Sequence, residues 1–241
     1  GKNDSTFNSD PQIDGMSMVM FDTTLPLAKY KDLTTETITP RISYRINPGN
    51  NMNDYSGTTK SVGIGNVFDL NRLGLSGDYE AGRSLTLGLG YKYDQLENYQ
   101  EDEAKDKYFE FNLATVVRDQ IETEIPSSST INRKNSDLFG SLENKLYENL
   151  NLSYDFSLDN DLNTINLHNI ETEISINNFV TTFNYFENRN ELGNSHVVSN
   201  STEYKLNENI SLKFSTRRNK KINLTEYYNL SYEYKNDCLT A

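Results

Sequence analysis

The sequence predicts an all-β, antiparallel transmembrane β-barrel of the outer-membrane type, and three observations lead there. The first is strict alternation. Leu85, Leu87, Leu89, Tyr91 and Tyr93 fall on one face of a strand, with Ser84, Thr86, Gly88, Gly90 and Lys92 on the other. One face suits hydrocarbon and the other water, which is what the wall of a membrane barrel requires. The second is composition: of 241 residues only 35% are hydrophobic, and the mean hydropathy is -0.73, too hydrophilic for a large two-sided core. Yet 16 Tyr and 11 Phe exceed what a disordered chain carries. Strands with one wet face, joined by polar loops, satisfy both facts. The third is that no apolar run approaches the ~18 residues a spanning helix needs. Any crossing is therefore made by strands.

In chain order, alternating runs cover roughly Met16 to Lys29, Glu36 to Asn47, Ser84 to Tyr93, Lys107 to Arg118, Asn135 to Tyr147, Leu150 to Asp159, Asn163 to Ser175, Asn178 to Glu187, Ser195 to Leu206, Ile210 to Ser215 and Asn229 to Lys235. A stub at Cys238 brings the count to about twelve strands of a larger barrel, most of them ~9 to 13 residues, the length of a tilted crossing. Leu150, Leu152, Tyr154, Phe156 and Leu158 oppose Asn151, Ser153, Asp155, Ser157 and Asp159. Ile210, Leu212 and Phe214 oppose Ser211, Lys213 and Ser215, and Leu230, Tyr232 and Tyr234 oppose Asn229, Ser231, Glu233 and Lys235. Charged inward positions are tolerable only in water, so Asn151, Ser153, Asp155, Ser211, Lys213, Ser231 and Glu233 are the expected lumen-facing residues.

Two connections repeat, Leu146-Tyr-Glu-Asn-Leu-Asn-Leu-Ser-Tyr and Leu206-Asn-Glu-Asn-Ile-Ser-Leu-Lys-Phe. Each reads as a tight hairpin on Glu-Asn, because Asn tolerates the backbone that short turns require. Fixing both as periplasmic makes all other connections alternate. Asn188 to Asn194, Asn219 to Asn223 and the long Asp119 to Lys134 segment then lie outside, and the Asn177-Asn178 turn, the Asn236-Asp237 turn and the acidic Asp94 to Asp106 connection lie inside. The same parity forbids a crossing at Lys60 to Asn66. Residues 48–82 are thus one long external or lumen-folded loop within a single partial barrel domain spanning 1–241. A loop this long in a compact fold is usually functional or disordered; its distinctive sequence favours function, and Asn71, Arg72, Glu80 and Arg83 are the residues expected to structure the mouth.

A net charge of -12 argues against nucleic acid as a partner; Arg217, Arg218, Lys220 and Lys221 read as a solvated loop. No signal peptide precedes the polar Gly1 to Asp10 stretch, so the chain reads as part of a longer or processed protein. Catalysis finds no support. His168 and His196 each stand alone in an alternating or loop segment, without a second ligand at metal spacing. Carboxylates such as Asp155 and Asp159, or Glu101, Asp102 and Glu103, read as solvated rather than as an acid and base in two tuned environments. Gly63-Ile-Gly65 opens no helix and is no nucleotide loop. No enzyme activity, cofactor or metal is expected.

Three segments carry a family resemblance: Thr39-Pro-Arg-Ile-Ser-Tyr-Arg-Ile-Asn-Pro-Gly-Asn, Asn66-Val-Phe-Asp-Leu-Asn-Arg-Leu and Glu80-Ala-Gly-Arg-Ser-Leu-Thr-Leu-Gly-Leu. With the ending Tyr232-Glu-Tyr-Lys-Asn-Asp-Cys-Leu-Thr-Ala, they resemble the carboxyl-terminal barrel domain of the LPS-assembly protein family (LptD, also called OstA). The resemblance covers about Leu25 to Ala241. The richness in Asn, Lys and Tyr is similar to that of members from AT-rich alphaproteobacteria. The resemblance implies the cell outer membrane and a translocon that inserts lipopolysaccharide into the outer leaflet by passive conduction and lateral release. It also implies a plug lipoprotein (LptE-like) and a periplasmic LPS-transport bridge as partners, beside outer-membrane lipid. It implies further that the periplasmic jelly roll and the terminal gate strands lie outside this chain, and that Cys238 pairs with a cysteine beyond it. A general porin or solute channel, and a soluble β-sandwich binding module, remain the rival classes. With two unpaired edges, a sheet of this size is not expected to fold stably alone as a barrel.

Overall fold

The computed structural model describes residues 17–48, 60–75, 79–95, 107–190 and 195–235. Twelve strands run through them: β1 (Val19–Thr24), β2 (Leu27–Lys31), β3 (Thr34–Ile46), β4 (Arg83–Gln95), β5 (Lys107–Arg118), β6 (Leu138–Tyr147), β7 (Leu150–Leu158), β8 (Ile165–Ile176), β9 (Phe179–Asn188), β10 (Ser195–Asn207), β11 (Ile210–Asn219) and β12 (Leu224–Tyr234). All join one antiparallel sheet, and from β3 onward each strand pairs with its neighbours in sequence. The sheet is open, with β1 and β2 along one edge and β12 along the other. No helix among the described residues is long and apolar enough to cross a membrane.

The count of twelve is reached differently from the sequence expectation. The run from Met16 to Lys29 is broken in two, since β1 pairs with Arg41–Ile46 and β2 with Thr34–Ile38, both along β3. Pro26 has no N–H to give, so the ladder lapses there. Leu25 N bridges the gap by donating to Pro40 O at 3.0 Å. The stub at Cys238, the disulfide it implies and the Asn236-Asp237 turn lie outside the described residues.

Register shows why alternation matters. On one face Ile38, Tyr91, Phe111, Leu142, Tyr154, Ile170, Tyr185 and Val198 lie side by side across β3 to β10. Nearer the hairpin end, Ile176, Phe179, Tyr204, Leu212 and Tyr232 continue that face to β12. The opposite face carries Thr37, Lys92, Glu110, Glu143, Ser153, Glu171, Asn184, Ser199 and Arg217 in one row. A slip of one residue at any strand would exchange the two. The apolar face is bare: Leu89 is 50% exposed and Leu230 73%. A soluble sandwich would bury these positions against a second sheet, and the described residues form only one.

Connections alternate between the two ends of the sheet, and all at one end are two-residue turns except that from Gln95 to Lys107. The turns after Lys31, Tyr147, Ile176 and Asn207 sit at one end, together with the connection from Gln95 to Lys107; the connections after Ile46, Arg118, Leu158, Asn188 and Asn219 sit at the other. The two Glu-Asn hairpins share a register slip. Each ladder slips once before its turn, between Asn144 and Tyr147 and between Lys205 and Asn207. Asn207 Oδ1 caps its turn by accepting from Asn209 N, whereas Asn144 Oδ1 accepts from Leu146 N within the slipped part of β6. Left-handed Asn is used instead at Asn177 and Asn223.

The buried core is small and lies entirely on the polar side, at the long-loop end. Val62, Val67, Leu73, Leu75 and Ala81 from the first loop meet Ile125 and Ile131 from the second over Ala114, Val116 and Phe139 of β5 and β6. The described part of the 48–82 loop is thus folded onto the polar face, with no strand at Lys60 to Asn66. Gly88 makes the approach possible, since a Cβ there would stand 2.5 Å from Phe68 Cζ. Phe68 in turn carries the Arg41 guanidinium 4.1 Å above its ring. Gly88→Val is expected to cost about 1 to 3 kcal/mol through overpacking, read as a lower urea midpoint for the loop side while Gly63→Val, with open space around it, leaves the midpoint unchanged.

Candidate functional site

The first loop is shaped by its asparagines. Asn66 Oδ1 accepts from Gly63 N at 2.9 Å while its Nδ2 donates to Ser61 O. Asn71 clamps Leu75 twice, accepting from its N at 2.8 Å and donating to its O at 2.7 Å. These bonds replace the backbone pairing that an irregular segment lacks. They also turn Arg72 downward, into the space between loop and sheet.

There a single carboxylate meets three guanidinium groups. Arg72 donates through Nε to Glu80 Oε2 at 2.7 Å and through Nη2 to Glu80 Oε1, the bidentate geometry that suits this pair. Arg118, at the end of β5, donates to the same Oε1. Arg45 of β3 stands 3.6 Å from Oε2. The remaining donors reach the wall and both loops. Arg72 bonds Thr86 Oγ1 and Ser84 Oγ, each at 3.0 Å, and Arg118 bonds Ala81 O at 3.0 Å and Ile131 O. Arg72 is 0% exposed and Glu80 4%. One acidic side chain therefore ties β3, β5 and both long loops together.

Burial alone would raise the Glu80 carboxyl, but Arg72 and then Arg118 outweigh it and hold its pKa at about 2, against an ordinary 4.5. The folded value lies below the unfolded one, so the stability Glu80 contributes is complete above about 4.5 and is lost as pH falls toward 2. Acid titration from pH 5 to pH 2 is expected to raise protease cleavage in the loops before the strands unfold.

Of the four residues expected at the mouth, Arg72 and Glu80 are brought together and Asn71 sets the turn beside them. Arg83 is not part of this group. It lies on the opposite, apolar face at the long-loop rim, exposed and paired with Asp119. Arg45 and Arg118 were missed as site residues. Their signal was available, since each is an inward-facing charge at the end of a strand that adjoins a long loop.

The seven residues expected to face a lumen all occupy the polar face. Asn151 and Ser153 line a recess of about 300 Å³ with Glu143, Lys145, Glu171 and Glu173. Ser211 and Glu233 line another of about 500 Å³ with Glu203, Lys205 and Lys235. Lys213 and Ser231 pair in register beside the second recess, and Asp155 accepts from Asn169 at 3.1 Å. No group of three or more His, Cys, Asp or Glu among the described residues could hold a metal.

The histidines are less isolated than the sequence suggested. On the apolar face Tyr154 stacks on His168, His168 meets the edge of Tyr185, and Tyr185 meets His196, with centroids 6.0, 6.2 and 5.4 Å apart. Tyr154 and His168 also share a 3.0 Å hydrogen bond. Period-two reading assigns each histidine to a strand but gives no neighbour on the next strand. Such a ladder near the strand ends matches the aromatic girdle of a membrane interface.

One bare apolar face, one polar face and loops folded onto the polar side are those of part of a membrane β-barrel wall. The chain matches the family model described as LptD, LPS transport system D, over residues 2–210, and it belongs to that family. The family is one of lipopolysaccharide transport proteins of the outer membrane. No curated protein matches the chain.

Proposed function

We propose that this chain forms part of the wall of the outer-membrane translocon that inserts lipopolysaccharide into the outer leaflet. The observation that carries the reading is the division of the sheet into a largely apolar and a largely polar face, interrupted on the apolar side where Thr181, Asn200 and Thr202 bond one another. Sugars and phosphates move along the polar face, over Asn151, Ser153, Asp155, Ser211, Lys213, Ser231 and Glu233, while acyl chains stay with hydrocarbon. The conduit is passive; the energy and direction come from a periplasmic bridge. The loops over β3 to β6 shape the mouth, and the polar face of β7 to β12 is left to a plug lipoprotein and the cargo. The acidic recess at Glu143, Glu171 and Glu173 would repel phosphorylated sugars unless divalent cations accompany them. Cys238 ties this barrel to a cysteine elsewhere in the protein, as the oxidising periplasm allows.

The test uses the full-length protein in outer membranes, with a photo-crosslinking residue at Ser153 or Lys213 and, separately, at Leu87. Lipopolysaccharide adducts at Ser153 and Lys213 that vanish when its supply from the inner membrane is stopped support the conduit. A purified, partnerless barrel that conducts ions and forms no adduct at either position would make it a porin.

A further inference from the structure

Register divides the basic run at the end of β11. Arg217 lies opposite Ser199 on the polar face and pairs with Glu226 at 2.7 Å. Arg218 lies opposite Val198, which places it on the apolar face in line with Tyr185. Lys220 follows opposite His196, donating its N–H to His196 O at 2.8 Å. The carboxylate of that row, Glu187, lies between His168 and His196 in register and is taken up by Arg189 Nε at 3.0 Å and the Tyr185 hydroxyl at 2.8 Å. Arg218 gives Nη2 to Asn223 Oδ1, a neutral acceptor. Arg218 and Lys220 are both exposed, and neither forms an ion pair with a described residue. Along β4 and β5 the same rim is balanced, because Arg83 pairs with Asp119. Long basic side chains at the end of a lipid-facing strand reach out of the hydrocarbon to headgroup depth. The counter-ion found there is a headgroup phosphate.

We propose that the outward surface of β10 and β11 at the long-loop rim binds the phosphorylated sugar headgroup of a lipid in the surrounding leaflet. Arg218 and Lys220 hold a phosphate, and Tyr185 and His196, edge to face at 5.4 Å, flank the sugar. Two residues apart, the cations stand at most about 7 Å from each other along the chain, so one phosphate accepts charge-assisted bonds from both. The ligand is a lipid outside the wall, not the cargo within it. The inference rests on the apolar face meeting lipid, as the proposed function has it, and not on passage of anything along the polar face.

The test places a photo-crosslinking residue at Val198, between Tyr185 and Arg218 in register, in the full-length protein. The purified protein is reconstituted in phosphatidylcholine vesicles containing lipopolysaccharide without O-polysaccharide, either phosphorylated or dephosphorylated. Adducts are expected with the phosphorylated lipid, and Arg218→Gln with Lys220→Gln should lower their yield roughly twentyfold, about fivefold for each basic residue beside an anionic surface. Arg218→Lys with Lys220→Arg keeps the charge and should keep most of the yield, and Arg83→Gln on the balanced part of the rim should leave it unchanged. Equal yield in the double glutamine variant, or with the dephosphorylated lipid, overturns the proposal. Loss of the adduct to millimolar inorganic phosphate also overturns it, since the site would then take a free anion and not a lipid. Vesicles supply the lipid directly, so the result is independent of whether adducts form at Ser153 and Lys213, and the two readings can fail separately.

Discussion

Glu80→Gln is expected to detach both long loops from the wall, at a cost of about 3 to 5 kcal/mol. The glutamine keeps the shape and an acceptor oxygen, but it removes the one carboxylate in contact with Arg45, Arg72 and Arg118. Three buried guanidinium groups then face one another, and the cheapest relief is to lift the loops and let water in. The strands are held by their own ladders and should stay paired. In the full-length protein, hydrogen exchange should therefore rise across residues 60–75 and 119–134 while β7 to β12 keep their protection. Arg83→Gln is the natural comparison. Its partner Asp119 is also on the surface, the pair being 58% and 44% exposed, and its loss is expected to cost less than about 1 kcal/mol. Unchanged loop protection in Glu80→Gln would show that the apolar loop contacts, not the charges, hold the mouth.

The contrast between these two arginines marks how far the sequence could be read. Period two placed nearly every strand, because a wall between two solvents needs a side-chain choice at every position. It also grouped Asn151, Ser153, Asp155, Ser211, Lys213, Ser231 and Glu233 on one face, since a face is a local property. What it could not supply was contact at a distance. Arg72 and Glu80 lie in one loop eight residues apart and are grouped by sequence with Arg83, three positions further on. Yet Arg83 begins the strand, and alternation turns it to the far face. Arg45 and Arg118 belong to strands on either side of β4, and only the pairing Arg45–Ser84–Arg118 brings them under the loop. The same limit hid the Tyr154–His168–Tyr185–His196 ladder, and Pro26 hid the division of the first run, because its effect falls on the partner strand.

Leu89→Arg is expected to destabilise the barrel by about 2 to 4 kcal/mol, the cost of a cation on the lipid face near mid-bilayer. Leu89 is the middle of the five outward positions from Leu85 to Tyr93, flanked in register by Pro40 and Leu113. No residue of the described chain covers it fully, and its stability comes from hydrocarbon that the membrane supplies. An arginine there must drag water or headgroups inward. Ser153→Arg, on the polar face beside Glu143 and Glu171, should change stability by less than about 0.5 kcal/mol. The two variants carry the same added charge, so the difference between them reads the environment alone. Urea unfolding of the full-length protein from phospholipid vesicles measures both. If the two were equally tolerated, the bare face would not be facing lipid, and the wall would need a protein partner along β3 to β5 instead. A greater loss at Ser153 than at Leu89 would invert the barrel and with it the path assigned to the sugar.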